Sequence, residues 1–256
     1  MIETITILGG CSKSGDPEPV KEVNLKKGDV VSIVGPTGSG KTMLINDIEL
    51  FASGDTPTKR RVLINGDEVL EEIRNNPHKN PIARITQHTT FLSDLPVCDF
   101  LELHAKIRQD GERYLIKKTL DLANQLSGEN ILLSSRMTEL SGGQTRALLI
   151  ADAVVIGNTP IILLDEVENA GIYKDRALKI LRGYQKMMVF VTHDPVITLF
   201  SDFRIVMRNG AMEKVIKTTE EEKKAAEEVK RVDNLLMDLR EKIRSGETIE
   251  LKEVVV

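Results

Sequence analysis

The chain has 256 residues, 41% of them hydrophobic, enough to bury the core of one large domain or of one domain carrying a small lobe. Its formal net charge of −4 argues against a general polyanion binder, so direct nucleic-acid binding is not expected. Cys11 and Cys98 stand far apart and outside any CxxC spacing, which excludes a disulfide framework and a zinc knuckle and predicts two reduced thiols. The alternating start Ile2, Thr4, Ile5, Thr6, Ile7 is not a basic region followed by a long apolar core, and no run of eighteen apolar residues occurs. The expectation is a cytoplasmic chain that does not itself cross a membrane.

Short β-branched runs alternate with helix-period segments, the pattern of an α/β fold with a mostly parallel sheet flanked by helices. Residues 2–8 and 61–64, the latter followed by the turn residues Asn65 and Gly66, read as an antiparallel portion. The apolar run Val30, Val31, Ile33, Val34 feeds Gly35, Pro36, Thr37, Gly38, Ser39, Gly40, Lys41 and Thr42, which match GxxxxGK[ST]. Glycines let successive backbone N–H groups aim inward at an anion, and the following helix adds its positive dipole end. Lys41 would supply a point charge to β and γ phosphates, and the Thr42 hydroxyl would ligate Mg²⁺.

Farther along, Ile82, Ala83, Arg84 and Ile85 predict a core strand ahead of Gln87. Pro96 marks the entrance to a helical stretch through Phe100, Leu101, Leu103 and Ile107, then Leu115, Ile116, Leu120, Leu122 and Leu126. Leu140, Ser141, Gly142, Gly143 and Gln144 come next. Strand-like runs then lead into the carboxylate pair Asp165 and Glu166 and, after Thr192, into His193. Asn209 and Gly210 predict a hairpin. From Thr218 to Gly246, apolar Ala225, Val229, Val232, Leu236, Leu239 and Ile243 alternate in spacings of four and three within a Glu- and Lys-rich background. This predicts a helix that either packs on its own domain or forms a coiled-coil contact.

In this order the motifs resemble the nucleotide-binding domain of the ATP-binding cassette family, from the N-terminus to about residue 217. The resemblance implies a P-loop NTPase fold for residues 1–217, with a helical subdomain inserted at about 96–145 and a charged helix and tail over 218–256. Residues 140–144 match the family's LSGGQ signature, Gln87 its Q-loop glutamine, Ile161 to Glu166 its Walker B strand and His193 its switch histidine. It further implies Mg²⁺-dependent ATP hydrolysis. Asp165 and Thr42 would serve the metal, Gln87 both the metal and the attacking water, Glu166 that water's proton, and His193 the γ-phosphate, so that Glu166, His193 and Gln87 are the expected catalytic residues. Ser141, Gly142, Gly143 and Gln144 would seal the ATP held by a second copy or a paired cassette subunit, in a head-to-tail dimer.

Two features depart from the family pattern. No Phe, Tyr or Trp precedes Phe51, so the aromatic that usually stacks on adenine is missing; Cys11 or Val20 would offer an apolar surface instead. After Glu166 the chain reads Val167, Glu168, Asn169, Ala170, Gly171, Ile172, which puts Ile172 at the aspartate position of the D-loop. The family predicts an energising subunit that docks through its helical lobe on a separate permease, peripheral to the cytoplasmic face of a membrane. The alternative is a soluble ATPase that remodels or activates a cytosolic protein client.

Overall fold

The computed structural model describes all residues except 1, 75, 77, 78, 92, 93, 110–112, 128, 167–173, 251, 252 and 254–256. Two sheets organise them. Strands β1 (Thr4–Leu8), β2 (Glu22–Lys26), β4 (Arg61–Ile64) and β5 (Asp67–Glu68) form an antiparallel sheet in the order β2-β1-β4-β5. The larger sheet runs β10-β9-β3-β8-β7-β6, from β3 (Val30–Val34), β6 (Ile82–Thr86), β7 (Ile161–Asp165), β8 (Met187–Val191), β9 (Phe203–Arg208) and β10 (Ala211–Lys217). Its first five strands in chain order are parallel, and β10 closes the edge antiparallel to β9 through the predicted Asn209–Gly210 turn.

Strands buried on both faces need near-continuous apolar sequence, which is what Ile161 to Leu164 and Met187 to Val191 provide. Alternate residues serve different cores. Ile161, Leu163, Met187, Val189 and Val191 join helix α1 (Lys41–Glu49) and the antiparallel sheet through Leu44, Ile45, Ile5 and Leu25. Ile162, Leu164, Met188 and Phe190 face the helical side, with α3 (Val97–Gln109), α4 (Arg113–Leu126), α5 (Gly142–Val155) and α6 (Lys174–Arg182). Each such fully buried Val, Ile or Leu side chain stabilises the fold by about 1.5–3 kcal/mol, so the centre of the sheet is a rigid platform. A four-residue helix α2 (Glu71–Arg74) follows β5.

The parallel register matters most for chemistry. Ile33 pairs with Val191, Val191 with Asp165, and Asp165 with Thr86. The carboxyl ends of β3, β8, β7 and β6 therefore finish in one row, and the loops that leave them begin side by side.

Helix α8 (Glu220–Ser245) starts at a capping box between Thr219 and Glu222 and ends at Gly246, whose φ of 79° suits a left-handed cap. It packs on α7 (Pro195–Phe200), and Arg204 of β9 holds Glu222 at 2.6 Å. The expected apolar stripe is corrected at its first position. Ala226, not Ala225, is buried, and Val232, Leu236 and Ile243 are 42%, 45% and 62% exposed. Ala226, near the start of α8, is the buried side chain of this helix among the described residues, so the face that packs there is set by the neighbours rather than by the heptad spacing. No helix among the described residues is long and apolar enough to cross a membrane.

Candidate nucleotide site

The loop after β3 turns through three left-handed glycines, Gly35 (φ 150°), Gly38 (φ 76°) and Gly40 (φ 103°), before α1 begins at Lys41. Two of them are also sites of close approach. A Cβ on Gly35 would lie 2.4 Å from the Met207 carbonyl oxygen, and one on Gly40 would lie 2.8 Å from the Gly210 Cα. The loop is thus wedged under the β9–β10 turn, whose Gly210 N–H donates to the Ser39 carbonyl at 2.8 Å. Lys41 is buried, its Nζ donating to the carbonyl oxygens of Gly35 at 2.8 Å and Pro36 at 3.2 Å. Ser39 Oγ is buried with no hydrogen-bond partner.

Two adjoining cavities open at the row of strand ends. One, of about 290 Å³, is lined by Lys13, Thr37, Gly38, Gly40, Lys41, Thr42, Met43, Glu166 and His193. The other, also about 290 Å³, is lined by Thr42, Arg84, Thr86, Gln87, His88, Asp165 and Glu166. Thr42 and Glu166 belong to both. The expected members Lys41, Thr42, Gln87, Asp165, Glu166 and His193 are therefore brought together from the ends of β3, β6, β7 and β8. Glu166 holds a positive φ of 52°, unusual for a residue with a side chain, while its N–H donates to the Val191 carbonyl at 2.9 Å.

Residues 141–144 lie elsewhere. None of them lines either cavity; Ser141 and Gly142 are exposed at the start of α5. Ser141 caps that helix by accepting from the Gln144 N–H at 3.3 Å, and Gln144 Oε1 accepts from the Ser141 N–H at 2.9 Å. Gln144 also donates to the Asn130 carbonyl at 3.1 Å, so both side chains are fixed at an outward-facing helix start. Residues 167–172, where the D-loop departure falls, lie outside the described residues.

Four residues were missed by reasoning from sequence. Arg84 places its guanidinium 2.9 Å from Asp165, 2.7 Å from Glu49 and 2.6 Å from the side-chain Oδ1 of Asn46. Burial works against that charge, but the hydrogen bonds to Glu49 and Asp165 outweigh it and raise its pKa. Arg146 of α5 donates to the Gln87 carbonyl at 3.1 Å and also to the Gly142 carbonyl. Arg60 is fully buried and binds both Glu18 and Asp47. Lys13, in the segment that lacks an aromatic, donates from Nζ to the Gly38 carbonyl at 2.7 Å. Cys11 and Val20 do not line the cavity; the Cys11 thiol contacts the Pro57 carbonyl. A charged residue inside a strand-like run, in a Gly- and Pro-rich loop, or, like Arg146, in the first turns of a helix carries no periodic signal that would have exposed these roles.

The donor set suits Mg²⁺. The Thr42 hydroxyl, the Asp165 carboxylate and the Gln87 amide converge on one cavity as hard oxygen donors, too few for an all-protein cage but appropriate for an ion that keeps water and substrate phosphates as ligands.

A family model described as ABC transporter matches residues 21–169. The chain belongs to the ABC transporter family. It is 50% identical over 253 residues to an uncharacterised ABC transporter ATP-binding protein of Methanocaldococcus jannaschii, covering 99% of this chain and 97% of that one. It is 30% identical over 211 residues to the spermidine/putrescine import ATP-binding protein PotA of Bacteroides thetaiotaomicron, covering 78% of this chain but only 44% of that protein. Among solved ABC structures, a dimeric ATP-binding cassette in a post-hydrolysis state with bound ADP and Pi superposes with a TM-score of 0.62 at 26% identity, over 84% of this chain and 99% of the other. An ABC cassette in its ADP conformation, at 24% identity and a TM-score of 0.63, shares the fold.

Proposed function

We propose that this ABC protein binds Mg²⁺-ATP and hydrolyses its γ-phosphate as half of a head-to-tail dimer, and that it energises a transporter through a separate permease. One observation carries the reading. Lys41, Thr42, Glu166 and His193 line a single cavity, whereas Ser141 stands capped and exposed outside it, where only a second copy would bring it to a nucleotide. The ADP- and Pi-bound dimeric relative supports the dimer, and the import role that the name of PotA gives that relative supports a part in transport. On this reading residues 1–217 form the cassette, the helical lobe at about 96–145 meets the permease, and 218–256 is an appended helix and tail. The site would lie on the cytoplasmic side of a membrane.

The roles follow from chemistry. Backbone N–H groups of the glycine loop and Lys41 Nζ, released from its two carbonyl partners, would neutralise the β and γ phosphates. Mg²⁺, held by Thr42 and Asp165 with Gln87 beside them, would supply Lewis-acid charge neutralisation. Glu166 would accept the proton of the attacking water, a contribution of about 10²–10⁴ in rate. His193 would hold the γ-phosphate in line, and Ser141, whose hydroxyl proton is not used by its cap, would donate to the partner copy's γ-phosphate.

Glu166→Gln tests this. It should keep ATP binding, lower turnover by at least about a hundredfold and yield an ATP-dependent dimer on size exclusion. A monomer under saturating ATP would refute the shared-site reading.

A further inference from the structure

We propose that Lys13 is a second phosphate-binding cation of the nucleotide site, reaching the diphosphate from the β1–β2 loop while Lys41 holds it from the phosphate loop, so that nucleotides are recognised by phosphate charge and not by the base. The inference rests on the nucleotide reading above and adds a residue to it. Lys13 lies on the loop between β1 and β2, a segment fixed at several points. Its own N–H donates to the Asn209 carbonyl at 3.0 Å, Cys11 N–H to the Thr58 carbonyl at 2.7 Å, and Ser12 N–H to the Asp16 carbonyl at 2.8 Å. Glycine at 210 is what lets the chain pass, because a Cβ there would meet Lys13 N at 2.9 Å and Cγ at 2.7 Å.

The loop is anchored from below as well. Glu18 accepts from the Gly10 N–H at 2.8 Å and the Met212 N–H at 2.6 Å, and it is paired with buried Arg60, which also donates to the Gly210 carbonyl at 2.7 Å. The backbone under Lys13 is thereby tied to the same turn that caps the phosphate loop. Its ammonium rests on the Gly38 carbonyl, at the lip of the cavity that Lys41, Thr42 and Met43 also line. A neutral carbonyl is a weak partner compared with a diphosphate, and the exposed side chain can swing between them at little desolvation cost. No aromatic ring precedes Phe51, so base stacking gives no competing source of selectivity from this loop.

The test is equilibrium binding of ADP, GDP and CDP by calorimetry to the full chain and to its Lys13→Met and Lys13→Arg variants, with melting curves as a folding control. The expected result is three similar affinities for the wild type, all weakened about tenfold in Lys13→Met, as for loss of one charge-assisted hydrogen bond, and largely restored in Lys13→Arg. Unchanged ADP affinity in Lys13→Met overturns the proposal, as does a loss confined to ADP. If the wild type binds none of the three, the nucleotide reading itself fails; binding by the wild type with no effect of Lys13→Met removes only the role of Lys13.

Discussion

Arg60→Met isolates the buried junction beneath the nucleotide loops. Arg60 is 0% exposed, and its guanidinium donates to Glu18 Oε2 at 3.1 Å, Asp47 Oδ2 at 2.9 Å and the Gly210 carbonyl at 2.7 Å. Glu18 and Asp47 are equally buried, so the substitution leaves two carboxylates inside the protein with one cation removed. Breaking a buried ion pair by deleting one partner destabilises by about 3–5 kcal/mol, because the orphaned charge keeps its desolvation penalty. Unfolding entropy scales to about 0.5 kcal/mol/K for a chain of 256 residues, which converts that loss into a melting temperature lower by about 6–9 °C. The melts should be run without nucleotide, since ligand binding to the folded state would mask part of the change. Arg60→Lys should fall nearly as far, because one ammonium cannot reproduce a fork that spans two carboxylates and a carbonyl. If Arg60→Met melts within about 2 °C of the wild type, well short of the shift expected from the lost ion pair, the junction does not hold the fold together as argued.

Lys41→Ala should weaken nucleotide binding itself by at least tenfold, since the ammonium is the charge at the centre of the loop; unaltered binding by fluorescence titration would remove Lys41 from the site. Ser141→Arg should leave nucleotide binding by an isolated subunit intact yet block dimer closure and turnover, and normal steady-state hydrolysis would show that the signature is not shared between copies. Arg84→Met should tighten Mn²⁺ binding in the presence of ADP, as read by electron paramagnetic resonance, because Asp165 loses a guanidinium 2.9 Å away that competes for its oxygens. Weaker Mn²⁺ binding would instead mean that Arg84 serves to position Asp165.

The parallel core was legible because β7 and β8 need apolar side chains on both faces, and that requirement writes itself as near-continuous Ile, Leu, Met, Val and Phe, while β3 and the edge strand β6 were legible from shorter β-branched runs that Ser32 and Arg84 interrupt. Asn65–Gly66 and Asn209–Gly210 were legible because the turns require positive φ, observed at 52° and 88° in the first and 48° and 83° in the second. The buried cluster was not. Arg60, Glu18 and Asp47 are 42 and 13 residues apart along the chain, and each looks like a surface residue until the fold brings opposite charges together. Helix α8 shows the converse limit. Its spacing was clear, but which face is covered depends on α7 and β9, and those neighbours select Ala226 where periodicity selected Ala225.

The same dependence on pairing explains how a cassette of separate motifs can act as one device. The Gln87 N–H donates to the Asp165 carbonyl at 3.2 Å, the Gln87 carbonyl accepts from Arg146 at 3.1 Å, and Arg146 also donates to the Gly142 carbonyl at the head of α5. Hydrogen bonds therefore run unbroken from the end of β7 to the helix start that would face a partner's nucleotide. Glu166, on the next residue after Asp165, holds a left-handed backbone that a residue with a side chain adopts only when its surroundings enforce it, here through the bond from its N–H to Val191. On the helical side, the hydrogen-bonded connection from the Asp165 backbone to α5 passes through Gln87 and Arg146. That α5 packs extensively on α4 gives this route a lever arm into the lobe proposed to meet the permease.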